Sequence, residues 1–173
     1  DRKISSIYFD DASLSGLRDN IDGNKIRNKI RLRYYDNLIG KTNLEIKQKR
    51  GFLGYKHRIK IPNIYQNESD LIQYVNNWSK SELDNFIFPV SKITYIRSYF
   101  RRGPIRATID VNINSHKLSS SGHKLFSSIN DYEVIEFKYD SDYDSEFRTL
   151  YDSLKGIYSR STKSSKYSNS MMY

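Results

Sequence analysis

Arginines at alternate positions in one short segment are the first residues whose types and spacing suggest a chemistry. In NKIRLRYYDN, residues 28–37, Arg31 and Arg33 flank Leu32, and Lys29 shares their register. Because successive side chains of a β-strand point to opposite faces, this alternation predicts a strand with one apolar and one basic face. Two guanidinium groups on one face can bind an anion through bidentate, charge-assisted hydrogen bonds. The simpler alternative is that the charged face only contacts water.

The same alternation recurs in five further segments: 43–49, 55–61, 93–100, 105–111 and 133–139. The six charged faces together carry eleven basic and three acidic side chains, namely Lys29, Arg31, Arg33, Lys47, Lys49, Lys56, Arg58, Lys60, Arg97, Arg106 and Lys138 against Glu45, Asp110 and Glu136. A face that only contacts water would mix the two signs more evenly. Two arrangements follow: an open sheet with a basic surface, or a tunnel lined by the charged sides.

The composition limits the class of protein and the kinds of site that this chain can contain. The chain has 173 residues and a formal net charge of +9, which suits one domain that binds an anion such as nucleic acid, a phosphate compound or an acidic membrane surface. It has no cysteine, which excludes disulfides and thiolate metal sites. It also lacks an apolar run near the roughly 20 residues that a membrane-spanning helix needs.

The elements that must position the charged residues are mainly strands. Alternation and turn residues predict strands over Ile4–Asp10, Asn28–Tyr35, Asn43–Arg50, Tyr55–Ile61, Lys92–Arg101, Ile105–Ile113 and Tyr132–Tyr139. Helical spacing of apolar residues predicts two amphipathic helices, over 68–86, with Asn67 or Ser69 as its cap, and over 144–158. Their apolar stripes need a surface to cover, which favours the tunnel. The polar, Ser-rich end of the chain favours a flexible tail over 160–173.

A series of short motifs occurs in order along almost the whole chain. They are SIYFDD (6–11), IRLRYY (30–35), LEIKQK (44–49), YIRSYFRR (95–102), RATID (106–110), VIEFKYD (134–140) and SSKYS (164–168). The series resembles the VTC domain, the polyphosphate polymerase domain of the triphosphate tunnel metalloenzyme (CYTH-like) superfamily. The resemblance implies a single α+β domain over 1–173: an antiparallel β-barrel or tunnel with a basic lumen and helices packed outside. The family's opening strand and helix would precede SIYFDD, so the resemblance also implies a domain truncated at its N-terminus and a tunnel that lacks its first strand.

The resemblance assigns roles to the positions that match the family's motifs. As catalytic residues that grip the phosphates it implies Arg31, Arg33, Lys47, Arg97 and Arg106. As further phosphate-binding residues we take Lys56, Tyr95, Lys138, Ser165 and Lys166. Glu136 matches the metal-binding glutamate, for Mn²⁺ or Mg²⁺.

The implied activity is transfer of the terminal phosphate of ATP to a growing inorganic polyphosphate chain. Such chemistry depends on positioning and charge neutralisation rather than on a side-chain nucleophile, which suits a site made of Arg, Lys and one carboxylate. The resemblance further implies a cytoplasmic protein that meets the membrane surface through a membrane-protein or accessory-subunit partner. Three alternatives stay open: a non-catalytic polyphosphate- or nucleotide-binding module, a triphosphatase, and a nucleic-acid-binding domain. Nucleic acid is the less favoured partner, because stacking with bases needs aromatic side chains on the basic strand faces. Tyr95 and Tyr99 lie on such a face, but most of the basic strands have no aromatic residue there.

Overall fold

The structure is a computed structural model that describes residues 1–36, 41–65, 67–83, 85–154 and 164–172. These residues form eight strands: β1 (Arg2–Asp10), β2 (Ile26–Tyr35), β3 (Asn43–Arg50), β4 (Leu53–Lys60), β5 (Phe88–Arg102), β6 (Ile105–Leu118), β7 (Lys124–Asn130) and β8 (Val134–Lys138). The helices are α1 (Ser15–Ile21), α2 (Glu68–Glu82), α3 (Asp144–Leu154) and α4 (Lys166–Met172). A 3-10 turn, Ser141–Tyr143, precedes α3. Over the described residues, no helix is long and apolar enough to cross a membrane.

All eight strands belong to one antiparallel sheet, in the order β4-β3-β2-β1-β5-β6-β7, with β8 also paired to β6. The long strand β6 makes this branch possible, because β8 pairs with its first part (106–110) and β7 with its last part (113–118). Consequently β1 lies near the middle. Among the described residues, β4 at one side and β7 and β8 at the other have an outer edge that pairs with no strand. Within the described ranges no pairing joins β4 to β8, so the sheet is not closed. The predicted α+β fold on an antiparallel sheet is confirmed.

The two faces of the sheet differ in chemistry. The apolar face, which carries Leu32 and Leu44, packs against Leu71, Ile72 and Val75 of α2. Asn67 begins this helix as predicted, since its side chain accepts a 2.9 Å hydrogen bond from the backbone N–H of Asp70. We call the opposite face, which carries Arg31 and Arg33, the basic face.

Helices α1 and α4 lie over part of the basic face. The ring of Tyr167 in α4 stacks on Tyr8 of β1 at 5.0 Å, and its hydroxyl donates to Asp10 Oδ2 at 2.6 Å. The same Asp10 carboxylate accepts hydrogen bonds from the backbone N–H groups of Gly16 and Leu17, at 3.0 and 2.8 Å. A side chain at position 16 would come within 3.1 Å of this carboxylate, so glycine permits the close approach. One buried aspartate therefore holds both helices on the sheet.

Three elements were not predicted from sequence: α1, α4 and β7. Helix α4 corrects the expectation of a flexible tail over its described part, residues 164–172, because its polar sequence packs through the buried Tyr167. Strand β6 continues five residues beyond the predicted end at Ile113, to Leu118. The helix predicted over 144–158 is observed as Asp144–Leu154, and positions 155–158 lie outside the described residues.

The packing of α2 yields a stability prediction. Leu71 is 1% exposed against the apolar face, so Leu71→Ala removes buried methyl groups and leaves a cavity. We expect a loss of about 2–5 kcal/mol in the free energy of unfolding, measured by urea denaturation. Gln73→Ala, an exposed change in the same helix, is the control and should alter stability by less than about 0.5 kcal/mol. Equal stability of the two variants would contradict the packing described.

Candidate functional site

Glu45 organises the cations on one half of the basic face. Arg31 donates to Glu45 Oε2 from Nε and Nη2, at 2.9 and 2.7 Å. Lys56 Nζ and Arg58 Nε lie 2.6 and 3.2 Å from Oε1. Burial opposes ionisation of this side chain, which is 4% exposed, but Arg31 and Lys56 outweigh burial and hold its pKa at about 2. Glu45 is therefore a carboxylate at every physiological pH, and it fixes three basic side chains at once.

Asp110 has the same role on the other half. Arg97 binds it with two parallel contacts, Nε to Oδ1 at 2.5 Å and Nη2 to Oδ2 at 2.7 Å. Lys166 of α4 adds a third contact, Nζ to Oδ2 at 2.5 Å. Burial raises the pKa of this carboxyl, but Arg97 and Lys166 bring it below its ordinary value. The SSKYS motif (164–168) thus contacts the sheet directly through Lys166. Its Nζ also lies 5.0 Å from the centre of the Tyr95 ring.

Arg33 lies between these two groups and has only neutral partners among the described residues. Its Nη2 donates to Tyr95 Oη at 3.0 Å and its Nε to Ser6 Oγ at 3.3 Å. The residue is 8% exposed, and a buried guanidinium without a carboxylate is costly unless an anion supplies the missing charge. Nearby, Tyr8 accepts a 3.1 Å hydrogen bond from Arg31 Nη1. Burial raises the pKa of Tyr8, yet Arg31 and Arg33 lower it overall, so the local field favours negative charge.

A cavity of about 410 Å³, here called the basic pocket, lies at one end of the basic face. Its cationic lining is Arg27, Lys29, Lys47 and Lys49, and no carboxylate lines it within the described part of the chain. Lys29 Nζ donates to Ser165 Oγ at 2.8 Å. Burial and repulsion from Lys47 and Arg27 lower the pKa of Lys29 from 10.5 to about 8, although Tyr8 acts in the opposite direction. A larger cavity, about 510 Å³, runs along α2, and none of the described residues that line it is cationic.

Glu136, the predicted metal ligand, lies at the β8 edge. Its Oε1 is 3.3 Å from Lys138 Nζ, and both side chains are about half exposed. Arg106 is directly opposite Lys138 in the β6–β8 register, which places it on the same face. No cluster of three His, Asp or Glu side chains is arranged to hold a metal in the ranges the structure describes. A single accessible carboxylate suits a cation that is bound mainly by phosphate oxygens and water rather than by a cage of protein ligands.

The predicted site residues therefore lie on one face of the sheet. Strand register places most of them on the basic face, namely Arg31, Arg33, Lys47, Lys56, Tyr95, Arg97, Arg106, Glu136 and Lys138. The docking of α4 adds Ser165 and Lys166 to this face. Sequence reasoning did not select Tyr8, Asp10 or Tyr167, which organise this region. The available signal was SIYFDD, where Ser6, Tyr8 and Asp10 alternate in one register. It resembles ordinary core alternation, which is why it was not informative alone.

Comparison with solved structures supports the fold described above. The fold is similar to the crystal structure of a "putative adenylate cyclase" from Bacillus halodurans, with a TM-score of 0.53 and 12% sequence identity. The match covers 94% of this chain and 79% of that one. At this identity the similarity establishes the fold alone.

The family follows from the sequence itself. The VTC domain model matches residues 1–173, and the chain belongs to the VTC domain family. No curated protein matches the chain in sequence.

The contacts of Glu45 predict a pH-dependent loss of stability. Glu45→Gln leaves Arg31, Lys56 and Arg58 without their shared carboxylate, so we expect a loss of about 3 kcal/mol in the free energy of unfolding at pH 7. Because the pKa is lowered from 4.5 to about 2, this contribution is complete above pH 4.5 and is lost as the pH falls towards 2. Urea denaturation across this range, with the exposed Glu82→Gln as control, tests the expectation. A difference between Glu45→Gln and wild type that does not change with pH would contradict it.

The basic pocket predicts the opposite effect for Lys29. A folded-state pKa of about 8 means that the protonated amine destabilises the fold below pH 8, and that this cost disappears as the pH rises towards 10.5. Because the amine keeps partial access to solvent, we expect Lys29→Met to raise the free energy of unfolding by about 1 kcal/mol at pH 7, or roughly 2–4 °C in Tm. The gain should shrink between pH 8 and 10.5. Thermal melts of Lys29→Met and of the exposed control Lys80→Met measure this gain. Equal Tm values for the two variants at pH 7 would refute the destabilisation of the fold by protonated Lys29.

Proposed function

We propose that this domain binds ATP and inorganic polyphosphate on its basic face and transfers the terminal phosphate of ATP to the polyphosphate chain. An oxygen of the chain's terminal phosphate attacks the γ-phosphorus, the bond from that phosphorus to the β–γ bridging oxygen breaks, and ADP leaves with the electron pair. No side chain has to act as nucleophile. The work of the protein is to hold the phosphates in line and to offset their charge.

One observation carries the proposal: the basic face holds more positive charge than its own carboxylates neutralise. Glu45 and Asp110 are fully engaged with five basic side chains. Arg33, Lys29 and Arg106 have no carboxylate contact within the described residues. Such a surplus in a partly desolvated site is stabilised by a polyanion, and phosphates accept the bidentate bonds that guanidinium groups donate.

Individual roles follow from position. Arg33 and Arg97 lie towards the middle of the basic face and suit the phosphates that react. Arg106 and Lys138, at the accessible β8 edge, suit the incoming triphosphate. Lys47, Lys56, Ser165 and Lys166 supply further donors around them.

Glu136 is the residue that would hold Mn²⁺ or Mg²⁺. A bound divalent cation supplies charge neutralisation on the phosphate oxygens. The protein's own contribution is one accessible carboxylate beside Arg106, which leaves the remaining coordination positions for phosphate and water.

A binding module without catalysis is the second candidate, and the unpaired edges of β4 and β8 favour it. An open sheet shields the phosphates from water less completely than a closed one, and water exclusion strengthens every charge contact in a phosphoryl-transfer site. Nucleic acid is less well supported. Tyr8 and Tyr95 are 5% and 3% exposed on the basic face, so their rings are not available for stacking with bases.

The test is chain extension. The domain is incubated with ATP, Mn²⁺ and a short polyphosphate primer, and the products are separated by gel electrophoresis and assayed for ADP and free phosphate. We expect longer polyphosphate and ADP. Arg106→Ala, at an exposed position, should fold normally and lower kcat/KM by about 10- to 100-fold, because a charge-assisted bond to phosphate is lost.

Arg148→Ala is the matched control, because Arg148 is exposed on α3 and binds Asp144. It should extend chains like wild type. Free phosphate without longer chains would identify a triphosphatase, and tight tripolyphosphate binding without turnover would identify a binding module. Salt-sensitive oligonucleotide binding that tripolyphosphate does not displace would refute the proposed phosphate site.

A further inference from the structure

Thr108 has a buried hydroxyl that no contact explains. Among the described residues, only its Oγ1 and the amide oxygen of Asn76 are buried side-chain atoms without a hydrogen-bond partner. Asn76 lies on α2, away from the basic face. An unpaired buried polar atom costs folding free energy, and valine would fill the same volume without that cost. The presence of a hydroxyl at position 108 therefore calls for an explanation.

Strand register places Thr108 on the basic face, between groups already assigned to the site. It is opposite Glu136 on β8 and opposite Tyr99 on β5. Arg106 and Asp110 lie two residues away on the same strand, and therefore on the same face. Arg97 faces Asp110 from β5, so the register of β5, β6 and β8 places Thr108 among these charged side chains.

The acceptors beside Thr108 are engaged elsewhere, and its hydroxyl has no partner among the described residues. Asp110 is bound by Arg97 and Lys166. The Glu136 carboxylate, directly opposite Thr108, pairs with Lys138 at 3.3 Å. Arg97 and Arg106 can only donate hydrogen bonds. A ligand oxygen brought in by these arginines would be an acceptor for the Thr108 hydroxyl.

We propose that Thr108 is a further substrate-binding residue, whose hydroxyl donates a hydrogen bond to an oxygen of the phosphate held between Arg97, Arg106 and Glu136. This inference rests on the proposed function, because it needs a phosphate at that place. It adds a neutral donor to a site otherwise made of charges. A hydroxyl constrained by the β-branched side chain has few rotamers, so it orients a phosphate without adding to the repulsion between cations.

Two substitutions separate the hydroxyl from the shape of the side chain. Thr108→Val keeps the volume and removes the donor, whereas Thr108→Ser keeps the donor and removes the methyl group. Thr94→Val is the matched control, since Thr94 lies on neighbouring β5 but shares the register of Lys92 on the apolar face. Calorimetric titration with sodium tripolyphosphate, in EDTA and separately with Mn²⁺, gives Kd, and thermal melts give stability.

For Thr108→Val we expect a Kd about 10-fold higher than that of wild type, with and without Mn²⁺, and an unchanged or higher Tm. Thr108→Ser should stay within about 3-fold of wild type, and Thr94→Val should bind like wild type. Unchanged binding by Thr108→Val overturns the inference while leaving the proposed function in place. Three other results would also overturn the inference alone: Thr108→Val binds tripolyphosphate more weakly only when Mn²⁺ is present, its weaker binding is accompanied by a lower Tm, or Thr108→Ser weakens binding equally. If wild type does not bind tripolyphosphate, the proposed function and this inference fail together.

Discussion

The repulsion between cations on one side of a β-sheet is the constraint on which the rest of this structure depends. Strand pairing sets neighbouring backbones about 5 Å apart, so basic side chains on six strands are brought close together whatever their preferences. Glu45 and Asp110 make this tolerable, because each is buried and each binds several cations. The two carboxylates are therefore structural residues of the basic face, and the remaining positive charge is left for a ligand.

The same balance connects stability with function. The buried Arg33 and the destabilised Lys29 cost folding free energy that an apolar sheet face would not. The apolar core between the sheet and α2 offsets this cost from the other side of the sheet. Bound phosphate would relieve it directly, so ligand binding and thermal stability are coupled in this domain.

Helix α4 shows how a chain segment with little sequence signal becomes part of a site. Its seven residues are mostly polar, and their apolar members do not show the spacing that predicts a helix. Its tertiary contacts include Tyr167 on Tyr8 and Asp10, Lys166 on Asp110, and Ser170 on Ser91. None of these partners is within 50 residues of it in the chain, so local reasoning could not find them. Strand β7 was missed for a related reason, since its alternation is weak and its pairing with β6 is long-range.

The sequence by itself determined which residues share a face, because the two-residue period of a strand is a local property of the backbone. It determined where most strands lie along the chain, the amphipathic helix with its Asn67 cap, and the basic excess that indicates an anionic ligand. Only the tertiary structure decided which cations are neutralised and which are free. That outcome depends on register between strands distant in sequence, which puts Arg31 opposite Glu45 and Arg97 opposite Asp110, and leaves Arg33 with neutral partners.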